Sequence, residues 1–397
     1  MRIEQVILGT GERLPMLVDD DGLPLVHACE WLLARRLREF ATLSRNASEL
    51  LVAQRWAAKR HLDIYERIRL GRPFSEADLT SLIEHLGRPQ PTSHKVAKLA
   101  VSPDTHNKRL STTHRHLLWY IDELIADPST SKERAEQLVA QRAKIDKIFL
   151  SAFKRTEGDR KHHKRLTLKQ AQFLQDALDP DGTIRFGRDA RGRLRNFLMV
   201  SLLIFLGLRT GELLSLRVHD VHFGAITTIT IQRRSMSKID PRRRPPRVKR
   251  LGRKLPIDSS RLGILLDDYI NNERQWCLKH GKAQETGFLF LSDEGMPLSV
   301  DRLQQLFKDL RQRFPKELPP HLTAHSLRYT FTDTIYKELR KQGVEESRIE
   351  KILMWLRGDS SPESQDAYID FGAMANEAVA NFQSLMASKG NANDVPF

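Results

Sequence analysis

The chain has 397 residues with 65 Lys and Arg against 50 Asp and Glu, a formal net charge of +15 and a pI of about 9.9. This length exceeds what one typical hydrophobic core requires and predicts two or three domains. The positive charge favours a polyanionic partner, most commonly nucleic acid, and the longest apolar run, FLMVSLLIFLGL, is too short to span a bilayer, which argues against a membrane protein.

The cysteines and the N-terminus indicate the compartment. Cys29 and Cys277 have no paired spacing, which predicts a reducing environment and no zinc cluster. The N-terminal MRIEQVILGTGERLP lacks the pattern of a signal peptide. We therefore expect a cytoplasmic protein without a metal site.

Residues 1–153 are predicted to form a helical domain with a short N-terminal extension. Apolar residues recur at helical spacing through HACEWLLARRLREF, among them Trp31, Leu37 and Phe40, and the pattern continues through ASELLVAQRWAAKRHLDIYERI. Ser75 can cap a third helix, EADLTSLIEHL, and two more helices follow in THRHLLWYIDELIA and SKERAEQLVAQRAKIDKIFLSAF. Little of this part is typical of strand.

Residues 154–165 are basic and almost free of apolar side chains, which predicts a solvated linker. A linker that also lies along phosphates is a second interpretation, compatible with the first. Residues 166–397 then mix helices with a small sheet. Thr167 can cap LTLKQAQFLQDAL, and Gly207 can end the buried helix RNFLMVSLLIFLGL. ITTITIQ and RVKRLGRKLPI are strand-like and are joined by a basic, Pro-rich hairpin loop. The expected fold class is mainly α, with a small β-hairpin in the C-terminal domain.

The segment GLRTGELLSLRVHDV places an arginine just outside a helix. Thr210 can cap this helix, so that the Arg209 guanidinium and the free N–H groups nearby would favour an anion. In LTAHSLRYTFTDTIYKEL, His325 lies at a helix start and Arg328 one turn later, so both can reach one ligand. Taken singly, each residue is also typical of an ordinary turn or helix surface.

The stretch LRGDSSPESQDAYIDF contains an Arg-Gly-Asp tripeptide and, nine residues after its Asp, Tyr368. Gly358 can end the preceding helix, and Ser361 followed by Pro362 is a strong start signal for the next one. The tripeptide is thus predicted to be a helix joint, not an adhesive loop. Tyr368 falls about two turns into the new helix, where a half-buried packing role is the ordinary alternative.

In this order and context, Arg209, His325, Arg328 and Tyr368 resemble the tyrosine recombinase family, also called phage-integrase-like site-specific recombinases. The resemblance covers the second part of the chain best, and the first part is similar to the family's core-binding domain in size and helical character. It implies a two-domain, C-shaped clamp around double-stranded DNA with specific recombination sites. It also implies a protein of a mobile element, located at the prokaryotic nucleoid, that forms a homo-tetramer on DNA. The C-terminal segment ANEAVANFQSLMA would dock into a neighbouring subunit of this tetramer. Alternatively, the segment packs against its own chain.

The chemistry implied is metal-independent DNA strand transfer without a cofactor. Two arginines neutralise the nonbridging phosphate oxygens, Tyr368 forms a 3′-phosphotyrosine, and a hairpin lysine protonates the departing 5′ oxygen. Lys249 fits that lysine best, Lys238 is the alternative and Lys254 a third choice. Two other functions are compatible with the same residues, namely a catalytically weak DNA-binding accessory protein of this fold and a monomeric tyrosine-type topoisomerase.

The chain departs from the family at Asp359, where a His or Trp usually donates a hydrogen bond to the phosphate. Tyr329 also stands where His is common, and the hairpin loop is long and basic. An ionised carboxylate cannot donate and would repel the phosphate. Asp359 is therefore protonated, or turned away to cap the following joint or pair with an arginine, or the step is slow. We favour the second, with Trp355 or Arg357 as the replacement donor.

Overall fold

The computed structural model describes residues 1–90, 100–155, 165–187, 189–235, 237–248, 252–281, 283–359 and 376–384. It divides the chain into two compact units, one comprising Met1–Asp159 with Met236–Lys238 and the other Arg160–Ser235 with Ile239–Phe397. Most of the predicted linker, residues 156–164, lies outside the described residues. The boundaries at 153 and 166 thus stay a prediction.

The first unit begins with a β-hairpin that the sequence analysis missed. β1 (Arg2–Ile7) pairs with β2 (Arg13–Val18) in antiparallel register, from Arg2 opposite Val18 to Ile7 opposite Arg13. Leu17 of β2 is fully buried against the helices that follow, including Trp31. This part contains little strand, as expected, but this hairpin was not predicted, because a two-stranded hairpin gains its stability from the helical core beneath it.

The rest of the first unit is helical, as predicted: α1 (Val26–Ala34), α2 (Phe40–Lys59), α3 (Ile64–Arg69), α4 (Glu76–Leu86), α5 (Pro103–Ala126) and α6 (Lys132–Ser151). Ser75 caps α4 as expected, in a reciprocal capping box with Asp78. The single helix predicted across HACEWLLARRLREF is wrong, since α1 ends at Ala34. Leu37, counted there as part of a buried stripe, is 98% exposed, so no packing sustains a helix between α1 and α2.

The second unit contains one small sheet among helices: α7 (Leu168–Leu178), α8 (Ala190–Leu206), α9 (Thr210–Ser215), β3 (Val221–His222), β4 (Thr227–Ile231), β5 (Arg253–Ile257), α10 (Ser260–Asp268), α11 (Arg274–His280), α12 (Val300–Arg313), α13 (Ala324–Lys341) and α14 (Glu346–Arg357). The sheet order is β3-β4-β5 and both pairings are antiparallel, which confirms the β4–β5 hairpin. The fold class, mainly α with small antiparallel sheets, is confirmed.

Helix α8 is the centre of the second unit's core, with every residue from Phe197 to Leu206 buried. Gly207 ends it with a positive φ of 57°. A Cβ at this position would overlap the ring of Phe331 on α13, so glycine is required for both backbone and packing reasons. This tight turn brings the chain directly to Arg209.

The connection between β4 and β5 is held in place by buried charge. Arg242, 7% exposed, donates to both carboxylate oxygens of Asp240 and to the carbonyl oxygens of Leu214 and Leu298. Such a bidentate pair with two further acceptors satisfies the buried guanidinium. The connection is therefore anchored to the core and is more than the extended loop that the sequence predicted.

Residues 376–384 are helical and pack within their own unit. The ring of Phe382 lies 6.2 Å from that of Phe205 and 6.1 Å from that of Phe331. Gln383 accepts a hydrogen bond of 2.6 Å from the Asp258 N–H. The described part of this segment thus packs against its own chain, and docking into a neighbouring copy stays a prediction. No helix among the described residues has the length and apolar character to cross a membrane.

Candidate active site

Arg209 lies in the turn between α8 and α9 and is itself the residue that caps α9. Its backbone N–H donates to Glu212 Oε2 at 2.9 Å, and its Nη1 donates to Glu212 Oε1 at 3.0 Å. Thr210, predicted to be the cap, is the first helical residue. The N–H at this helix start is thus bound by a protein carboxylate, and the Arg209 side chain, 27% exposed, is the group that reaches outward.

Glu212 is a fully buried carboxylate that fixes two arginines. Besides Arg209, it accepts a bidentate pair of hydrogen bonds from Arg253 of β5, at 3.1 and 3.0 Å. Burial alone would raise the pKa of Glu212, but the hydrogen bonds and charge of Arg253, and then those of Arg209, outweigh it and lower the pKa. Glu212 is therefore ionised at neutral pH.

Arg328 lies on the buried side of α13 and is 4% exposed. It donates to the carbonyl oxygen of Gly207 at 2.6 Å and to that of Arg357 at 2.8 Å. Burial, reinforced by the charge of Arg209, lowers the pKa of Arg328 to about 9, against the opposing effect of Glu212 and Asp359. At neutral pH it is still a cation, held in one position.

The end of α14 brings the two arginines together. Gly358 ends the helix with a φ of 61°, as the sequence predicted, and this leaves the Arg357 carbonyl oxygen free of its own helix. Arg209 Nη1 donates to that oxygen at 2.8 Å, in addition to the bond from Arg328. A single main-chain acceptor therefore sets the spacing of two guanidinium groups from distant parts of the chain.

Asp359 faces these arginines. Its Oδ1 binds Arg209 Nη2, while its Oδ2 lies 2.9 Å from Arg357 Nε and 3.8 Å from Arg328 Nη2. Its own N–H donates to the Met354 carbonyl at 2.8 Å, which continues the end of α14. Of the explanations considered for this residue, the structure contains the arginine pairing.

The second part of the chain resembles known proteins in sequence. Residues 164–360 match the phage integrase family. This part of the chain, residues 164–360, belongs to the phage integrase family. The tyrosine recombinase resemblance of the sequence is thereby confirmed at the level of the family. No curated protein sequence matches the chain significantly.

Two solved structures share the fold of this phage integrase family member. One is the XerH site-specific recombinase bound to its difH substrate in a pre-cleavage complex, with 14% identity, a TM-score of 0.54 and coverage of 94% of this chain and 92% of that one. The other is XerH with a palindromic difH substrate in a post-cleavage complex, with 16% identity, a TM-score of 0.50 and coverage of 91% and 82%. At such identities the likeness concerns the fold alone.

His325, which the family motif also includes, lies exposed at the start of α13. Its Nε2 is 2.8 Å from the Tyr329 hydroxyl, and the two rings meet edge to face at 4.3 Å. Tyr329, noted in the sequence as a departure, thus orients the histidine from one turn away. His325 and Arg328 share the helix but differ in exposure, so the histidine is the more accessible of the two.

The remaining predicted residues divide into two groups. Lys249 and Tyr368 lie outside the described residues. Lys238 is exposed in the β4–β5 connection, and Lys254 is exposed on β5 opposite Thr230. Within the described ranges, no group of His, Cys, Asp or Glu side chains is placed to hold a metal ion.

Sequence reasoning missed the roles of Glu212 and Arg253. A signal for Arg253 exists, because it alternates with Leu255 and Ile257 along β5 and must share their buried face. A buried arginine requires an acid partner, and the acid closest to the motif in sequence is Glu212. In this protein the Glu212–Arg253 pair holds Arg209 in position, because Glu212 accepts hydrogen bonds from both arginines.

Proposed function

We propose that this protein is a site-specific DNA recombinase of the integrase or transposase type, which cleaves and rejoins DNA through a covalent 3′-phosphotyrosine. The observation that carries the proposal is the convergence of Arg209 and Arg328 on the Arg357 carbonyl in a chain that belongs to the phage integrase family. Two guanidinium groups that share one acceptor suit the nonbridging oxygens of a phosphodiester.

In the proposed reaction, the Tyr368 oxygen attacks the scissile phosphorus and gives up its proton. The phosphorus–O5′ bond breaks, a 3′-phosphotyrosine bond forms, and the leaving 5′ oxygen takes a proton from a general acid. Attack by a 5′-hydroxyl from a second strand reverses these steps and releases Tyr368. One phosphoester bond is exchanged for another at each step, so the reaction requires neither a cofactor nor a metal ion.

Several protein groups would stabilise the negative charge that develops on the nonbridging phosphate oxygens. Arg328 is rigid because two carbonyl oxygens hold it, and Arg209 is positioned by Glu212, which is in turn fixed by Arg253. His325 is the exposed donor on the same helix as Arg328. Electrostatic groups arranged before the substrate arrives contribute most to such catalysis.

We assign the general acid to Lys249 in preference to Lys238. The support is the path of the chain just before it, since Val248 is 5% exposed within the core and a Cβ on Gly211 would overlap the Arg247 carbonyl oxygen. The β4–β5 connection therefore runs against the start of α9, at a residue two positions after Arg209. Lys249 follows Val248 in the sequence.

The proposed partner is double-stranded DNA carrying specific recombination sites, bound by a homo-tetramer in the cytoplasm, at the nucleoid of a prokaryotic cell. The domains would be residues 1–153 and 166–397, joined by the basic linker 154–165 in a C-shaped clamp. The support is the net charge of +15 and the family membership of residues 164–360.

A second function is favoured by one observation, the carboxylate of Asp359 on the arginine pair. A protein whose phosphate site is partly neutralised could bind DNA through the same fold and cleave it poorly, as an accessory protein. The two functions differ in whether a covalent protein–DNA complex forms.

The test is to trap that complex. Cells expressing the protein are lysed in detergent, covalent protein–DNA complexes are purified, and the attached DNA is sequenced. We expect one recurring site with wild type and no adduct with Tyr368→Phe, which lacks the nucleophilic oxygen and should still bind DNA. Adducts that persist in Tyr368→Phe would remove Tyr368 as the nucleophile, and intact DNA binding without wild-type adducts would favour the accessory protein.

A further inference from the structure

We propose that Asp359 is an internal anion that occupies the arginine pair and that a phosphate must displace it to bind. The part concerning DNA rests on the function proposed above, whereas the competition between Asp359 and an anion does not. The two carboxylate oxygens face different guanidiniums, Oδ1 on Arg209 and Oδ2 at 3.8 Å from Arg328. Two nonbridging oxygens of a phosphate would make the same kind of contacts.

The hydrogen bonds of Arg209 to the protein core use Nη1 and leave Nη2 for Asp359 or for an anion in its place. Nη1 is bound to Glu212 and to the Arg357 carbonyl oxygen, both inside the protein. Nη2 points to Asp359, and among the hydrogen bonds of the described residues this is its partner. An acceptor that displaces Asp359 therefore receives a charge-assisted hydrogen bond from Nη2, which has no other acceptor among the described residues.

Charge favours an anion at this place. Arg209, Arg253 and Arg328 carry three positive charges around Glu212, which carries one negative charge and is fully buried. Asp359 supplies the second negative charge and lowers the net charge of the cluster from about +2 to about +1, counting each ionised group as one unit. Without the Asp359 carboxylate, the higher positive charge of the cluster attracts an external anion more strongly.

Asp359 can also leave without disturbing the core. Its side chain is 22% exposed, in contrast to Glu212 at 0% and Arg328 at 5%. It follows Gly358 at the end of α14, where rotation about its χ1 moves the carboxylate between staggered positions and leaves the backbone bond to Met354 intact. Arg357 Nε, 2.9 Å away and 41% exposed, can follow it outward.

The inference is tested by phosphate affinity in the full-length protein without DNA. Inorganic phosphate is titrated calorimetrically into wild type and into Asp359→Asn, which keeps the size of the side chain and removes its charge. We expect phosphate to bind Asp359→Asn about ten-fold or more tightly, the change typical of gaining one charged hydrogen bond. Asp359→Ser should show the same direction, which guards against a fold defect in one variant.

Two controls locate the effect. Glu285→Gln removes a carboxylate from another arginine of the same unit, Arg274, 2.6 Å away, and should leave phosphate affinity unchanged. Adding Arg209→Ala to Asp359→Asn should abolish the tighter binding. Equal affinity in wild type, Asp359→Asn and Asp359→Ser would overturn the inference, as would tighter binding that survives the loss of Arg209.

A duplex of arbitrary sequence separates DNA from free phosphate. If Asp359 competes with DNA phosphates, Asp359→Asn should also bind this duplex more tightly than wild type does, by a factor that Arg209→Ala removes. Tighter binding of inorganic phosphate without any gain for the duplex would overturn displacement by DNA. None of these measurements involves Tyr368, so failure of the covalent chemistry and failure of this inference are distinguished.

Discussion

Arg209 and Arg328 differ in how firmly the fold holds them. Arg328 is buried and bound to two carbonyl oxygens, whereas Arg209 is partly exposed and depends on Glu212 and on the end of α14. The first is a fixed charge, and the second can adjust to an incoming group. This division is the residue-level basis of the predictions that follow.

Replacing either arginine by alanine should cost about a hundred-fold or more in cleavage, the usual effect of losing one oxyanion donor. The measurement is single-turnover formation of the covalent complex on a nicked suicide substrate built from the trapped site. Arg328→Ala should also lower stability, because it leaves the carbonyl oxygens of Gly207 and Arg357 with one donor fewer. Near-normal cleavage by either variant would contradict the proposed site.

Glu212→Gln should destabilise the protein by about 3 kcal/mol or more, because it removes the negative charge that pairs with the buried Arg253. The free energy of unfolding is measured in urea at pH 7, with the exposed Glu350→Gln as the matched control, expected within about 0.5 kcal/mol of wild type. Since the pKa of Glu212 is lowered, its contribution is complete above the ordinary carboxyl pKa and is lost as the pH falls through the lowered value. Equal free energies of unfolding for Glu212→Gln and Glu350→Gln would show that the Glu212 carboxylate does not stabilise the fold.

The sequence predicted Arg209, His325 and Arg328 because their spacing follows a family motif. It could not predict their partners in the same way. Arg253 comes from a strand over 40 residues later in the chain, and the Arg357 contribution is a main-chain oxygen that every amino acid possesses. Contacts of this kind depend on the tertiary fold and have no local pattern.

Among the secondary-structure elements, the start of α9 and the β4–β5 connection are tied to each other through Gly211. An alanine inside a helix is normally more stable than glycine by about 0.5–1 kcal/mol, but here a Cβ would overlap the Arg247 carbonyl oxygen. Gly211→Ala should therefore push the connection away from Arg209. The steric effect outweighs helix propensity because backbone, and not a flexible side chain, stands in the way.

We expect Gly211→Ala to lose most of its cleavage of a normal substrate, as Lys249→Ala does. A substrate with a 5′-bridging phosphorothiolate needs no proton for its leaving group, so it should restore cleavage by both variants if Lys249 is the acid. Gly224→Ala is the control, since its nearest neighbour would be 3.9 Å from the new Cβ. Absence of rescue in Gly211→Ala would mean that its defect is general, and rescue of Lys238→Ala alone would transfer the acid role to Lys238.

Elements with strong end signals were predicted well, and those held by tertiary contacts were not. Thr167 and Ser75 cap their helices, and Gly207 and Gly358 end theirs, because each signal acts within a few residues. The break after Ala34 has no such signal. It follows from which side chains find a core, and this is decided elsewhere in the chain.

On the scale of the whole molecule, histidines are a feature of the first unit's buried groups. The second unit buries the ionised Glu212 with Arg253 and Arg328, whereas the first buries His106, His114 and His116, whose pKa values burial lowers. In the first unit, Gln54 donates to the Tyr65 hydroxyl at 2.5 Å, and that hydroxyl lies 2.9 Å from His116 Nε2. The Tyr65 proton then points to His116, which requires an unprotonated Nε2.

Acid should therefore destabilise the protein through His116. Burial lowers the pKa of His116 to about 3, so between that value and the ordinary 6.5 the unfolded chain binds a proton that the folded chain does not. Stability contributed in this way is complete above about pH 6.5 and falls as the pH falls, by about 2 kcal/mol between pH 7 and pH 5. Urea unfolding of His116→Gln, which cannot titrate, should show a loss smaller by that amount. The same loss in both proteins would contradict the buried neutral state.

The net charge of +15 was sufficient to predict a polyanionic partner, because it is a sum over the sequence and needs no fold. The buried histidines were not predictable, since the sequence does not distinguish His116 in a core from His325 on a surface. Burial is a property of the assembled unit.

The Arg357 carbonyl has one more consequence, for the tolerance of the site to sequence change. Both arginines are aligned by an atom that substitution cannot remove, so a library with every side chain except proline at position 357 should retain their spacing wherever Gly358 still ends α14. The spacing of the pair then does not depend on the Arg357 side chain, whose own contact is with Asp359. The strict requirement falls instead on Gly358, whose left-handed conformation turns that carbonyl oxygen toward its two donors.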